Sequence, residues 1–328
     1  MPSYITAVNQ LIAAAAARLP NAVLYGENIN NGSHICGMTR NLTVPPGGRL
    51  INVGDCEATH CGVGFGLMMH GVTSVLFAKQ LDFVVLGIDH LVSTYNVIRA
   101  HRRPESLGSF TICVIVCDQG FQGPQSSFNA LGDLCSLARV NGYTITNQQD
   151  ATHVLDRQLT APGFRFVALS QRLFPTECLT LDLVYASEDS SLFQYSNGAD
   201  VTIACFNFSL PEGLRLQQAL LARGLSASIF SVNHVVPSDW TRIQESVRVT
   251  RRLVVLDDSK SVNLSGYTLL HEVARACPHA RCVAVTRGAD VDFGVSPEVF
   301  QVDEDAICSQ LGVRKAAPAP RASLAATR

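Results

Sequence analysis

Residues 49–71 read R-L-I-N-V-G-D-C-E-A-T-H-C-G-V-G-F-G-L-M-M-H-G, and this stretch decides the fold. Residues 49–53 form a short apolar run of buried-strand type, and residues 56–71 form an apolar, Gly-rich helix. Residues 22–25 upstream read as another buried strand, and residues 74–77 downstream as a third. Val84, Leu86, Ile88, Leu91, Val92, Tyr95 and Ile98 then recur at helical spacing across 83–100, and 110–117 is a β-branched run. Such alternation predicts a mostly parallel sheet with helices on both faces. Residues 118–129 are Gly- and Gln-rich without period, so they form a loop leaving a strand's carboxyl end, where open α/β sheets bind ligands. Residues 130–140 and 150–159 look helical, and 164–169 is a further strand.

The pattern breaks down between 175 and 198, where Pro, Ser, Asp and Asn recur. A second set of elements follows: strands at 200–204, 227–233, 252–256 and 281–285, helices at 211–223, 238–249 and 266–276. The expected architecture is α/β in two domains. Residues 1–180 carry the first, 181–198 a linker, 199–313 a smaller α/β domain, and 314–328 a Pro/Ala tail with little to bury, expected to be disordered. The whole has 328 residues, enough for roughly two domains.

Charge narrows the function. Lys+Arg is 25 against Asp+Glu 27, a net charge of −2, which gives no pull toward nucleic acid or anionic lipid. No uninterrupted apolar stretch approaches the ~20 residues that span a bilayer. The Ala-rich run at 12–17 lacks a basic segment before it, so it does not read as a signal peptide. Charged residues are only 16% and hydrophobic ones 47%, with mean hydropathy +0.18. Soluble domains carry about 25% charge, so part of this surface is expected to be covered by other subunits. The 11 cysteines read as reduced thiols of a cytoplasmic protein, several of them small buried hydrophobes.

Glu57 is the first candidate for chemistry. It sits where a strand gives way to a helix, with small and apolar residues on its C-terminal side. An acid there has two readings: a carboxyl raised in pKa by burial for acid–base work, or a helix N-terminal acid satisfied by the dipole and free amides. G-x-G-x-G at 62–66 is not a dinucleotide fingerprint, and close helix packing accounts for it. Cys56, His60, Cys61 and His70 lack the spacing of a zinc site. Walker and G-x-S-x-G motifs are absent.

Four stretches together resemble the thiamine diphosphate-dependent transketolase-like family. They are similar to the beta subunit of the 2-oxo acid dehydrogenase decarboxylase component, or to the pyrimidine-binding and C-terminal domains of transketolase. V-L-Y-G-E-N at 23–28, with residues 37–42, resembles the family's opening segment. Residues 49–71 resemble its R-x-I-[DN]-…-[SC]-E-…-G segment without a gap. Phe83 with G-I-D-H at 87–90 resembles its next helix. G-A-D-V-T-I at 198–203, residues 233–239 and T-R-G-A-D-V-D at 286–292 resemble its C-terminal domain. The resemblance implies that Glu57 shares a proton with the cofactor's pyrimidine nitrogen. It also implies that Phe83 packs on that ring, and that Glu27 lies near the cofactor cleft.

Departures bear on the substrate. The family's histidine loop reads Q-G-P-Q-S-S-F-N at 122–129 here, with Ser126 in the histidine's place beside Gln125. His60 or a partner's histidine is left to fill that role. The family's two acids followed by Gly become Asp257, Asp258, Ser259 and Lys260. The family's diphosphate-binding G-D-G motif, which holds Mg²⁺ with Asp and Asn oxygens, is missing. The resemblance therefore implies the pyrimidine half of a two-chain enzyme. A separate alpha-type subunit, in an alpha2beta2 heterotetramer, would hold Mg²⁺ and the diphosphate. The implied activity is carbon–carbon bond chemistry next to a carbonyl on a 2-oxo acid or ketose. The alternative is a dehydrogenase-complex beta subunit passing acyl groups to lipoyl domains.

Overall fold

The computed structural model describes residues 2–119, 123, 126–235, 238–287 and 300–313. The expected tail at 314–328, most of the signpost at 286–292, and Gln125 lie outside them. Two six-stranded sheets carry the chain. The first contains β1 (Val23–Gly26), β2 (Arg49–Asn52), β3 (Ser74–Ala78), β4 (Ser109–Val116), β5 (Asn141–Ile145) and β6 (Gly163–Ser170). It is wholly parallel, in the order β2-β1-β3-β4-β6-β5. This is the α/β class expected from the sequence.

Strand β4 shows why. All eight of its residues are buried, as a central parallel strand covered on both faces requires. Ile112, Val114 and Val116 join one core cluster, while Cys113 and Ile115 join the other, following the two-residue alternation of a strand. On one face lie α1 (Tyr4–Ala16) and α6 (Gln148–Gln158); on the other lie α2 (Glu57–Met69), α4 (Tyr95–His101) and α5 (Leu131–Ala138). Helix α2 seats closely because Gly64 has no side chain: a Cβ there would lie 2.3 Å from the Phe110 ring. The neighbouring Phe65 then meets Phe110 and Phe164 edge-on, each at 5.1 Å between centroids, geometry worth roughly 0.5–1.5 kcal/mol per pair beyond burial.

The second sheet contains β7 (Tyr185–Ala186), β8 (Leu192–Ser196), β9 (Val201–Phe206), β10 (Ala227–Val232), β11 (Arg252–Asp257) and β12 (Arg281–Thr286), ordered β12-β11-β9-β10-β8-β7. Its first four are parallel, β8 pairs antiparallel with β10, and β7 pairs antiparallel with β8. Around it lie α7 (Leu210–Leu221), α8 (Thr241–Thr250), α9 (Ser265–Ala276) and α10 (Glu304–Gln310). One core cluster runs through both sheets, joining Val8 and Ile115 to Ile203 and Val254.

Four features differ from the sequence reading. Residues 181–198, expected as a linker, contain β7 and β8; polar residues mask a strand whose first four positions are buried. The run at 141–145 is also a strand, hidden by its Asn-Gly start. Arg49–Asn52 is an edge strand with three of four residues exposed rather than a buried one; an apolar run fits either an interior strand or an uncovered edge. The helix expected over 83–100 is broken into α3 (Leu81–Val84), a 3-10 turn (Val85–Gly87), a π turn (His90–Thr94) and α4, with a 68° bend. Gly87 lies so near α2 that a Cβ would be 2.5 Å from Cys61 Sγ, and helical periodicity does not register such a contact. No single helix among the described residues is long and apolar enough to cross a membrane.

Candidate active site

Strand order in the first sheet reverses beside β1, with β2 on one side and β3 on the other. A doubly wound sheet opens its ligand crevice at such a point, beyond the carboxyl ends of the strands. Glu27 follows β1, Lys79 and Gln80 follow β3, and Glu57 opens α2 after β2. Gly26 permits this spacing, since a Cβ there would lie 2.3 Å from the Phe77 carbonyl oxygen.

The crevice gathers acids. Burial raises the pKa of Glu27, as do the charge of Asp55, a hydrogen bond shared with it, and the charge of Glu57; Lys79 opposes them. Three carboxyls thus face one ammonium, and Glu27 takes up a proton more readily than an isolated acid does. Glu57 is half-buried at the first position of α2. Cys56 before it is exposed, and its thiol lies 2.9 Å from Thr59 Oγ1; hydrogen bonds from the Thr59 hydroxyl and backbone lower its pKa. His60 is buried under Tyr25, whose hydroxyl donates to the His60 carbonyl at 2.8 Å. Burial lowers the His60 pKa against the pull of Glu57, the Gly54 backbone and Asp55, so the ring stays neutral at pH 7.

Phe83 is half-buried on α3, and the turn that follows touches the first turn of α2: a Cβ on Gly87 would lie 3.4 Å from the Glu57 carbonyl oxygen. The structure therefore puts Glu57 and Phe83 on packed neighbouring turns, with Glu27 in electrostatic contact with Glu57. Ser126 Oγ donates to Gln80 Oε1 at 3.3 Å, which places the serine at the β3 end of the same crevice. Asp82, next to Phe83, accepts the Phe128 amide at 3.1 Å, while its other oxygen is buried without a partner.

The sequence reading passed over Asp55, Lys79, Gln80 and Asp82. The available signal was their position directly after β2 and β3 in a doubly wound pattern. His60 and Cys61 serve packing here, and among the described residues no three His, Cys, Asp or Glu side chains form a metal-holding group.

The second sheet reverses between β9 and β11, and its crevice is filled by the first unit. Asn129 Nδ2 donates to the Asp258 carbonyl at 2.9 Å, and Arg172 Nη2 donates to the Asp258 carboxylate at 2.8 Å. Beside them, burial pushes the Asp257 carboxyl up to about 7, helped by the charge of Asp258 and opposed by hydrogen bonding from Ser259. Its folded pKa exceeds the unfolded one, so stability is lost as pH rises from about 4 toward 7. Asp257→Asn should remove that loss, raising the urea midpoint relative to the parent at pH 8 more than at pH 4.5. The limit is about 4 kcal/mol, from roughly three pKa units. Equal pH dependence in both proteins would contradict it.

No family model matches the chain. Its sequence is 24% identical over 267 residues to the mitochondrial pyruvate dehydrogenase E1 component subunit beta-1 of Oryza sativa subsp. japonica, covering 77% of this chain and 69% of that one. It is 21% identical over 266 residues to the acetoin:2,6-dichlorophenolindophenol oxidoreductase subunit beta of Cupriavidus necator, covering 77% and 78%. In structure it is similar to a split-gene transketolase in an inactive beta4 tetramer, with TM-score 0.64 and 15% identity, covering 94% and 96%. The 2-oxoglutarate:ferredoxin oxidoreductase of Magnetococcus marinus aligns with TM-score 0.60 and 11% identity, covering 94% of this chain and 65% of that one.

Two doubly wound sheets, with an acidic crevice at the first sheet's switch point, give the chain a transketolase-like α/β fold. In sequence the chain is similar to beta subunits of the pyruvate dehydrogenase E1 component, and in fold to the split-gene transketolase.

Proposed function

We propose that the chain is the pyrimidine-binding subunit of a two-chain thiamine diphosphate enzyme that makes or breaks a carbon–carbon bond next to a carbonyl. The observation that carries this reading is Glu57 at the first residue of α2, in the switch-point crevice, with Phe83 on the adjoining turn. The residues fit one half of the cofactor. Three carboxyls with one ammonium repel a diphosphate but suit a basic ring nitrogen and a cationic ring. Mg²⁺ and the diphosphate accordingly fall to an alpha-type partner, as the missing G-D-G supports. The exposed Ile51, Val63, Val85 and Leu86 support burial against that partner.

When bound, thiamine diphosphate supplies an acidic thiazolium carbon whose deprotonated form attacks a carbonyl. Glu57 holds the proton at the pyrimidine ring nitrogen that makes the neighbouring imino group basic. Phe83 packs on the ring and fixes its orientation. Ser126 donates one hydrogen bond but stores no proton near pH 7, unlike imidazole. Transfer to a carbonyl acceptor, which needs less proton help than acylating a lipoyl thiol, is therefore favoured. The substrates are a 2-oxo acid or ketose donor and a carbonyl acceptor. We infer a cytoplasmic location, which the unpaired state of all 11 cysteines supports.

Co-purification with an alpha-type chain, followed by titration calorimetry, tests the reading. The lone chain should bind thiamine diphosphate weakly or not at all, and the pair tightly and in a Mg²⁺-dependent way. Micromolar binding by the lone chain in chelator would overturn the division of labour. The assembled enzyme, given pyruvate or a ketose phosphate, should ligate aldehydes or ketones faster than it acylates a lipoyl domain. Rapid lipoyl acylation without a ligation product would make it a dehydrogenase-complex subunit instead.

A further inference from the structure

Where the resemblance leads to two acids followed by Gly, this chain reads Asp257, Asp258, Ser259 and Lys260, and that lysine reaches across the molecule to the first unit. Its Nζ donates to the Ser127 carbonyl at 3.1 Å, and its backbone N–H donates to the Asn129 carbonyl at 2.6 Å. From the other side, Asp82 Oδ1 accepts the Phe128 amide at 3.1 Å. The charges of Asp82 and Lys260 attract each other across the loop. Asn129 is tied at its side chain as well, giving Nδ2 to the Asp258 carbonyl and accepting from Asn207 Nδ2, both at 2.9 Å.

Residues 126–129 thus run between two fixed elements. One is the start of α3, where Asp82 adjoins Phe83; the other is the loop after β11 in the second sheet. Among the described residues, the connection from β4 to α5 has no helix or strand of its own. Ordering such backbone costs roughly 1–2 kcal/mol per residue, so the bonds at 127, 128 and 129 decide where Ser126 stands.

We propose that Lys260 and Asp82 clamp the 126–129 loop from opposite sides, making Lys260, a residue of the second sheet, a positioning residue for Ser126 in the crevice. This rests on the function proposed above for that crevice. The clamp holds the serine against Gln80 (Ser126 Oγ to Gln80 Oε1, 3.3 Å) while the cofactor side of the site is set by α2 and α3. Reacting groups misplaced by about 1 Å lose on the order of 10²-fold in rate. The second sheet therefore contributes to the substrate end of the site and not to the pyrimidine end.

The test uses the full chain, with Lys260→Met, Lys260→Arg and Asp82→Ala. Amide hydrogen exchange of the peptide spanning 126–131 needs neither cofactor nor partner. It should accelerate at least tenfold in Lys260→Met and in Asp82→Ala, which removes the acceptor of the Phe128 amide, and return toward the parent in Lys260→Arg. In the assembled enzyme, Lys260→Met should raise the KM for the carbonyl acceptor and lower turnover at least tenfold more than it slows exchange at the thiazolium carbon. Lys260→Arg should recover most of both. Unchanged loop exchange in Lys260→Met and Asp82→Ala would overturn the clamp even if the enzyme works as proposed. A parent complex without carbon–carbon bond activity would defeat the functional reading, while the exchange data still judge the clamp. If Lys260→Met fails to fold, Asp82→Ala carries the exchange test from the opposite side.

Discussion

Glu57→Gln is expected to lower turnover of the assembled enzyme by ~10²–10⁴-fold, the range for losing acid–base assistance. Gln keeps the size of Glu and can still hydrogen-bond, but it cannot share an ionisable proton with a ring nitrogen. Folding should be little affected, because Glu57 is only half-buried at a helix start. Deuterium exchange at the thiazolium carbon should slow in parallel with turnover, whereas cofactor affinity should change far less. Unchanged exchange would reduce Glu57 to a helix-terminal acid. Glu27→Gln is the control: it weakens the acid cluster without removing the residue proposed to meet the ring, so its effect should be the smaller.

Arg172→Met is expected to be the most damaging substitution for stability. Arg172 pairs with Glu212 at 2.8 Å, with Asp258 at 2.8 Å and with Asp118 at 3.5 Å. Asp118, Glu212 and Asp258 are all buried. Removing the Arg172 guanidinium takes the shared cation from three buried acids, of which Glu212 keeps Arg215 at 3.1 Å, and breaking a buried pair in this way costs about 3–5 kcal/mol. Burial holds the Asp118 carboxyl at about 6 even with Arg172 present; the charge of Asp258 adds to the rise and Arg172 opposes it. Without the guanidinium, Asp118 and Glu212 take up protons more easily still. The cost of Arg172→Met should therefore be large at pH 7.5 and shrink as pH falls through about 6 to 5. Denaturant midpoints at the two pH values measure this. A penalty of the same size at both pH values would mean that lost packing of the side chain, and not charge, is responsible.

These two residues differ in how legible they were. Glu57 was visible because the strand, the G-D turn and the Gly-rich helix occupy one unbroken stretch, so local pattern and chemistry coincide at 49–71. Arg172 was not, because Asp118, Glu212 and Asp258 lie 54, 40 and 86 positions away. The same holds for Lys260, which stood out only as a departure from a resembling pattern. Its bond to Ser127 spans 133 positions, and nothing local announces it.

The sequence by itself determined the α/β class, most strands of both sheets and Glu57 as the acid at the strand-to-helix turn. Hydrophobic periodicity and turn residues act within a few positions, and these features depend on nothing longer. The tertiary structure alone decided the rest. It bent the helix after Phe83, because Gly87 packs on Cys61. It recruited residues 192–196, set among polar neighbours, into a buried antiparallel strand, because β10 offered an edge to pair with. It also filled the second sheet's crevice with Asn129 and Arg172, joining the 126–129 loop to Asp258 and Lys260. Each of these is a contact between segments distant in the chain, set by which surfaces remain to be covered once the local elements have formed.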